Sequence, residues 1–271
     1  MTEIKASQVK DLRTMTGAGM MDCKNALTEA DGDMDLANDI LRKKGMKLVD
    51  KKAGRDANEG LVGVHIRQED DGTLCGCIVE VNCETDFVAK NEMFQKFVAD
   101  WARRSTMAAT INEEELANLI SKVGENIKLG SSAMIKGGPV MSSYVHNKVA
   151  GDLGSIGVLI VLDGEPSEEL ASTGYEIAMH IAASKPKAVA VENLDPEWVE
   201  NERRLLTEQA LESGKPENIV GKMVEGRMNK VLRAVTLLDQ PFVINPDKTV
   251  GKVLEEAGAT VIGFVRLEVG E

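Results

Sequence analysis

Apolar residues repeat with a helical period up to about residue 55, and from Gly60 the period changes to that of a β-hairpin, which rules out an all-helix or an all-strand fold. In the first stretch Val9, Leu12 and Met15 form one stripe. Met20, Met21, Cys23, Ala26 and Leu27 form a second, and Leu36, Ala37, Ile40 and Leu41 a third. Thr16-Gly17-Ala18-Gly19 and Asp31-Gly32-Asp33 separate the three, and Gly45 follows the last as a C-terminal cap. The reading is a three-helix unit over residues 1–55 that ends in an exposed basic connector, Arg42-Lys43-Lys44-Gly45-Met46-Lys47 and Lys51-Lys52-Ala53-Gly54-Arg55, which in an acidic chain offers an electrostatic contact. Beyond Gly60, residues 61–67, the turn Asp70-Asp71-Gly72 and residues 74–82 predict a β-hairpin. A helix capped by Asn91 follows, with Phe94, Phe97, Val98 and Trp101 on one face, and another lies within residues 113–127.

Gly137-Gly138-Pro139 then punctuates the chain, and the strand, strand, helix order restarts over residues 140–149, 157–162 and 168–184. The fold class expected is therefore α+β, with two related subdomains at 56–139 and 140–271 carrying small antiparallel sheets. The second is interrupted at 195–233. Asp195-Pro196 is a cap followed by proline at the first helical position, and Ser213-Gly214-Lys215-Pro216 divides two arms of about 17 residues, roughly 25 Å each, so an antiparallel helical hairpin is predicted. Pro241-Phe242-Val243-Ile244, a short helix at 250–257 and a strand at 260–269 complete the unit.

Charge excludes several functions. Acidic residues outnumber basic ones 44 to 32, a net charge of -12, so polyanionic partners are repelled, and neither direct nucleic-acid binding nor an anionic membrane surface is expected. Aromatics at 3% leave little material for base stacking. Met1-Thr2-Glu3-Ile4-Lys5 leads into no apolar block, and the apolar run 158–162 is far shorter than a membrane span, so a soluble intracellular protein is expected. Cys23, Cys75, Cys77 and Cys83 are too few and too clustered for a disulfide framework and read as reduced thiols.

Three constellations carry possible chemistry. Cys75, Cys77 and Cys83 would share one side of a strand, with His65 available as a fourth metal ligand, but paired Cys-x2-Cys knuckles are absent and buried cysteine is commonly a small hydrophobe. His65, His146 and His180 stand in no catalytic signature and read as core or surface residues. Gly17-x-Gly19 enters a helix without a preceding strand, and Asp22 places negative charge where phosphate would sit, so it reads as an interhelical turn. The segment from Cys83 to Lys90 differs: Phe87 falls outside the apolar stripe of the following helix, between charged Asp86 and Lys90. Such a scarce aromatic is a candidate anchor for a partner's pocket, although composition alone favours its folding back onto the sheet edge.

Thr16-Gly17-Ala18-Gly19-Met20-Met21-Asp22-Cys23-Lys24, Glu80-Val81-Asn82-Cys83-Glu84-Thr85-Asp86-Phe87-Val88-Ala89-Lys90, His180-Ile181-Ala182-Ala183-Ser184-Lys185-Pro186, Ser213-Gly214-Lys215-Pro216, Met223-Val224-Glu225-Gly226-Arg227-Met228 and Gln240-Pro241-Phe242-Val243 together resemble the elongation factor Ts family of bacteria. The resemblance is collinear over nearly the whole chain. It implies a cytoplasmic guanine-nucleotide exchange factor, not an enzyme and without a cofactor, that binds elongation factor Tu during translation and speeds GDP release. It also implies an N-terminal module similar to ubiquitin-associated domains, two related α+β subdomains and a protruding coiled coil. Thr85, Asp86, Phe87 and Val88 match the segment that disturbs the partner's Mg²⁺ and phosphate site. Lys24, Val123, Gly124, His146, Val243 and Ile244 match further partner contacts. Leu129-Gly130 and Asn147-Lys148 depart from the family pattern, so contacts there are expected to be weaker or rearranged. The rival readings are a thiol or metal enzyme built on Cys75, Cys77 and Cys83, and a scaffold that binds ubiquitin-like domains through its first unit.

Overall fold

The computed structural model describes residues 4–107, 113–212 and 216–271. The chain opens with three helices, α1 (Ala6–Thr16), α2 (Met20–Glu29) and α3 (Met34–Lys52). Gly17 ends α1 in the left-handed region, φ 66°, and returns its N–H to the Arg13 carbonyl at 2.7 Å, as a helix C-terminus requires. Asp33 starts α3 by accepting from the Asp35 and Leu36 amides at 2.9 and 3.0 Å. Leu12, Cys23, Ala26, Leu27 and Ala37 are fully buried between the helices.

Among the described residues the strands are β1 (Glu59–Gln68), β2 (Leu74–Cys83), β3 (Ile127–Lys136), β4 (Val140–His146), β5 (Leu153–Gly154), β6 (Ile156–Asp163) and β7 (Thr260–Glu268). They make two antiparallel sheets, ordered β3-β2-β1-β5 and β4-β6-β7. The remaining helices are α4 (Asp86–Ala89), α5 (Glu92–Ser105), α6 (Glu113–Val123), α7 (Glu168–Ser184), α8 (Pro196–Leu211), α9 (Glu217–Val235) and α10 (Val250–Glu256). The fold class is α+β, as the sequence predicts.

Strand alternation sorts side chains into layers. Leu61, Cys77, Val79, Val81 and Cys83 of the first sheet pack on Phe94, Val98, Trp101 and Ala102 of α5. From the opposite face Val62, Val64 and Ile78 meet Val145 and Leu159 of the second sheet. The outer face of that sheet, Val158, Ile160 and Leu162, is buried against Leu170, Ile177, Ala178 and Ile181 of α7. The order is helix, sheet, sheet, helix. The sheets approach so closely that a Cβ at Gly157 would lie 2.6 Å from Val62 Cγ1, and one at Gly76 2.6 Å from Met141 Sδ.

Three features differ from the sequence reading. Gly45 caps nothing: α3 continues through the basic stretch to Lys52, because it lies along α6 and Val49 packs against the core beneath α5. The ten residues of β3 form an edge strand that is mostly exposed, so they carry no alternation of apolar and polar residues. Leu153 and Gly154, expected to belong to the second unit, pair with Gly63 and Val62 of β1.

In the hairpin, Asp195 accepts from the Glu197 amide at 3.0 Å and Pro196 occupies the first turn. Its arms share a small core of Ala210, Val220, Val224 and Met228, and Arg203 reaches Glu225 across them at 2.6 Å. At the root Lys187 sits 5.3 Å over the Trp198 ring. The turn expected at Ser213, Gly214 and Lys215 lies outside the described residues.

Candidate functional site

The strand β2 ends at Cys83, and the chain turns at once through Glu84 and Thr85 into the single-turn α4. Thr85 is extended, φ -133° and ψ 155°, which leaves its hydroxyl free to cap the turn by accepting from the Val88 amide at 3.4 Å. Successive residues on a helix point about 100° apart, so one turn can send one side chain inward and its neighbour out. Val88 and Ala89 enter the core under α5, while Phe87 is 80% exposed. The expectation that Phe87 folds back onto the sheet edge is therefore overturned: Val88 and Ala89 satisfy the apolar demand beneath the turn. Asp86 bonds Lys90 at 2.7 Å, and that bond holds the Asp86 carboxyl below the usual carboxylate range.

The turn is braced by residues distant in sequence. Glu125 accepts from the Thr85 amide at 3.0 Å and from its hydroxyl at 2.8 Å. Glu84 accepts from the Asn126 amide at 2.6 Å and from Arg55 at 3.3 Å, and Asn126 donates its side-chain amide to the Arg55 carbonyl at 2.7 Å. The Asn126 amide, with Arg55 and Lys52 adding positive charge, keeps Glu84 below its ordinary pKa and so ionised. Sequence reasoning missed Arg55, Glu84, Glu125 and Asn126 as supports. Their signal is collinear motif content alone, since no periodicity reports a bond spanning 40 residues.

The other expected contact residues fall in three places. Val123 ends α6 and Gly124 follows it at φ 83°, directly before Glu125, so this pair lies beside the turn. Lys24 stands exposed on α2 in the N-terminal unit, where exposed Met20 and Met21 share a cleft with it. His146 and the pair Val243–Ile244 attach to α7. The His146 ring nitrogen Nδ1 is 3.0 Å from the Tyr144 hydroxyl, and Tyr144 meets Tyr175 edge to face. Val243 donates its N–H to His180 Nδ1 at 3.2 Å, which places the imidazole proton on Nε2, facing Gln240 Oε1 at 2.9 Å. Burial holds His180 below its ordinary pKa and hence neutral. Leu129 pairs with Val81, and Gly130-Ser131 form a bulge opposite Glu80, whose carboxylate accepts from the Ser131 and Gly270 backbone N–H groups and from the Asn82 side-chain amide. A Cβ at Gly130 would lie 2.7 Å from that carboxylate.

The cysteine cluster reads differently. Cys75, Cys77 and Cys83 are buried, Cys77 and Cys83 in the core beneath α5 and Cys75 with its Sγ 3.5 Å from the Thr106 carbonyl just past that helix. Burial raises the Cys77 thiol, and burial together with the nearby Glu125 charge pushes Cys83 up to about 12. Nucleophiles and metal ligands need the opposite shift. Among the described residues no three His, Cys, Asp or Glu side chains converge as a ligand set.

A family model described as elongation factor TS matches residues 84–271. An elongation factor Ts of Hyphomonas neptunium is 46% identical over 286 residues, covering 100% of this chain and 93% of the relative. Those of Paracoccus denitrificans and Dinoroseobacter shibae are each 48% identical, covering 99% of this chain and 93% of the relative.

Proposed function

This chain belongs to the elongation factor Ts family and is a translation elongation factor, and from that premise we propose that it binds elongation factor Tu carrying GDP and accelerates GDP release. The observation that carries the reading is Phe87, an 80% exposed aromatic on a turn anchored by buried neighbours and two carboxylates. A large apolar side chain held out into water gains by entering a partner's apolar gap. The partner's GDP is held through its phosphates and a Mg²⁺ that demands near-ideal octahedral oxygen geometry, so a small displacement of that region by Phe87 weakens the nucleotide's hold. Asp86 contributes polar contact at the rim, and Thr85 and Val88 set the angle of entry. No covalent bond is made or broken in this role, so the protein is not an enzyme. Its place is the cytoplasm, where its partner works; no described helix is long and apolar enough to cross a membrane.

Reciprocity sets the cycle. A factor that weakens GDP binding must itself be bound more weakly when GDP is present, each tenfold corresponding to about 1.4 kcal/mol. Holding the nucleotide-free partner tightly enough calls for an interface above about 1,000 Å² in total. Lys24 with its methionine neighbours, Val123–Gly124, His146, and Val243–Ile244, which are 47% and 49% exposed, supply separate patches for it. The test is release of a fluorescent GDP analogue from elongation factor Tu with and without the protein, and with Phe87→Ala.

A further inference from the structure

We propose that Glu125 is a positioning residue whose carboxylate, by holding the Thr85 amide and hydroxyl, presents Phe87 to the partner, a role that rests on the exchange reading above. Glu125 stands 40 residues from Thr85 in sequence, and both its oxygens are committed to that one residue, at 3.0 and 2.8 Å. The Thr85 hydroxyl is the hinge of the arrangement: it donates to Glu125 while accepting from the Val88 amide, so the same atom that starts α4 is fixed from outside it. A four-residue helix cannot hold its own shape, because nucleation is unfavourable and a single turn gains little back. One side of the turn is anchored by packing, through Val88 and Ala89. The other is anchored by carboxylates: Glu125 on Thr85, and Glu84 on the Asn126 amide and Arg55.

Removing the Glu125 carboxylate would leave the Val88 and Ala89 anchor in place and free only the N-terminal side of the turn. The fold persists and the direction of Phe87 loosens. Glu125 thus acts through Phe87, and its effect vanishes when Phe87 is gone. Gln at 125 keeps one acceptor oxygen and turns an NH₂ group toward the second donor, so it preserves part of the restraint.

The experiment compares wild type, Glu125→Ala, Glu125→Gln, Phe87→Ala and the Glu125→Ala/Phe87→Ala double variant. Each is assayed for release of a fluorescent GDP analogue from elongation factor Tu at saturating factor, and each free protein for amide hydrogen exchange. The expected result is a roughly tenfold slower release with Glu125→Ala, an intermediate rate with Glu125→Gln, and less than about a twofold further loss when Glu125→Ala is added to Phe87→Ala. Amides of residues 85–90 exchange faster in Glu125→Ala while those of β2 and α5 do not. Full additivity in the double variant, or unchanged exchange at 85–90, overturns the role. If Phe87→Ala is fully active, any Glu125 effect arises elsewhere and the role is likewise overturned. If wild type fails to speed release at all, the exchange reading falls, and hydrogen exchange alone decides whether Glu125 orders the turn. Should Glu125→Ala not fold, Glu125→Gln carries the same comparisons.

Discussion

Replacing Phe87 by alanine separates a partner-facing aromatic from a core one, because the two predict opposite effects. A phenylalanine offers on the order of 200 Å² of surface, and with 80% of it exposed about 160 Å² is available for burial in a partner. At about 25 cal/mol per Å² that is roughly 4 kcal/mol, or a slowing of GDP release by as much as about a thousandfold if the contact forms only as the nucleotide leaves. The remaining surface, about 40 Å², contributes only about 1 kcal/mol to folding, a few degrees of melting temperature. Stopped-flow release of a fluorescent GDP analogue at saturating factor measures the first quantity, and a thermal melt followed by circular dichroism measures the second. Wild-type release by the variant would refute the wedge, and a loss of more than about 3 kcal/mol in stability would show that Phe87 belongs to the core after all.

Four further outcomes test the surrounding structure. His180→Ala strands the Gln240 oxygen and the Val243 amide and leaves a cavity, so it should destabilise by about 3 kcal/mol in a denaturant titration. In wild type, burial puts the native His180 pKa below its ordinary 6.5, so the unfolded chain takes up the proton first as pH falls; stability from this site is fully present above about 6.5 and declines below it, and His180→Gln should flatten that decline. The four cysteines are all buried, and burial lifts the thiols of Cys77 and Cys83; a thiol reagent at pH 8 should label none of the four in the native protein and all four in denaturant, and stoichiometric native labelling would contradict the packing. Because Val235 and Leu237 hydrogen-bond back to Lys187 and Ala188, replacing residues 191–234 with a short Gly/Ser loop should remove the hairpin while the rest melts within about 5 °C of the parent; global unfolding would show that the hairpin is integral.

Much of this architecture is readable from residues alone where local chemistry decides. Asn91 and Asp195 cap helices as their side chains allow, and the bounds of α7 coincide with the apolar stripe between Ser167 and Lys185. Legibility fails where tertiary packing overrides a local signal. Gly45 is an ordinary helix terminator, yet contact of α3 with α6 carries the helix past it. The strand β3 buries little and contains Gly130-Ser131-Ser132, so it reads as loop; only pairing with β2 and the Glu80 carboxylate makes it strand. The site divides the same way. Phe87 stands out because aromatics are scarce, but its exposure depends on Val88 and Ala89 filling the space below, and its bracing by Glu125 joins segments whose proximity is a property of the sheet.

On the proposed reading, this protein opens its partner's nucleotide site. Elongation factor Tu preloaded with a fluorescent GDP analogue and chased with excess unlabelled GDP should release the analogue at its slow intrinsic rate alone, and faster in proportion to added protein until saturation. Folded protein that binds elongation factor Tu and leaves the release rate unchanged would contradict that reading.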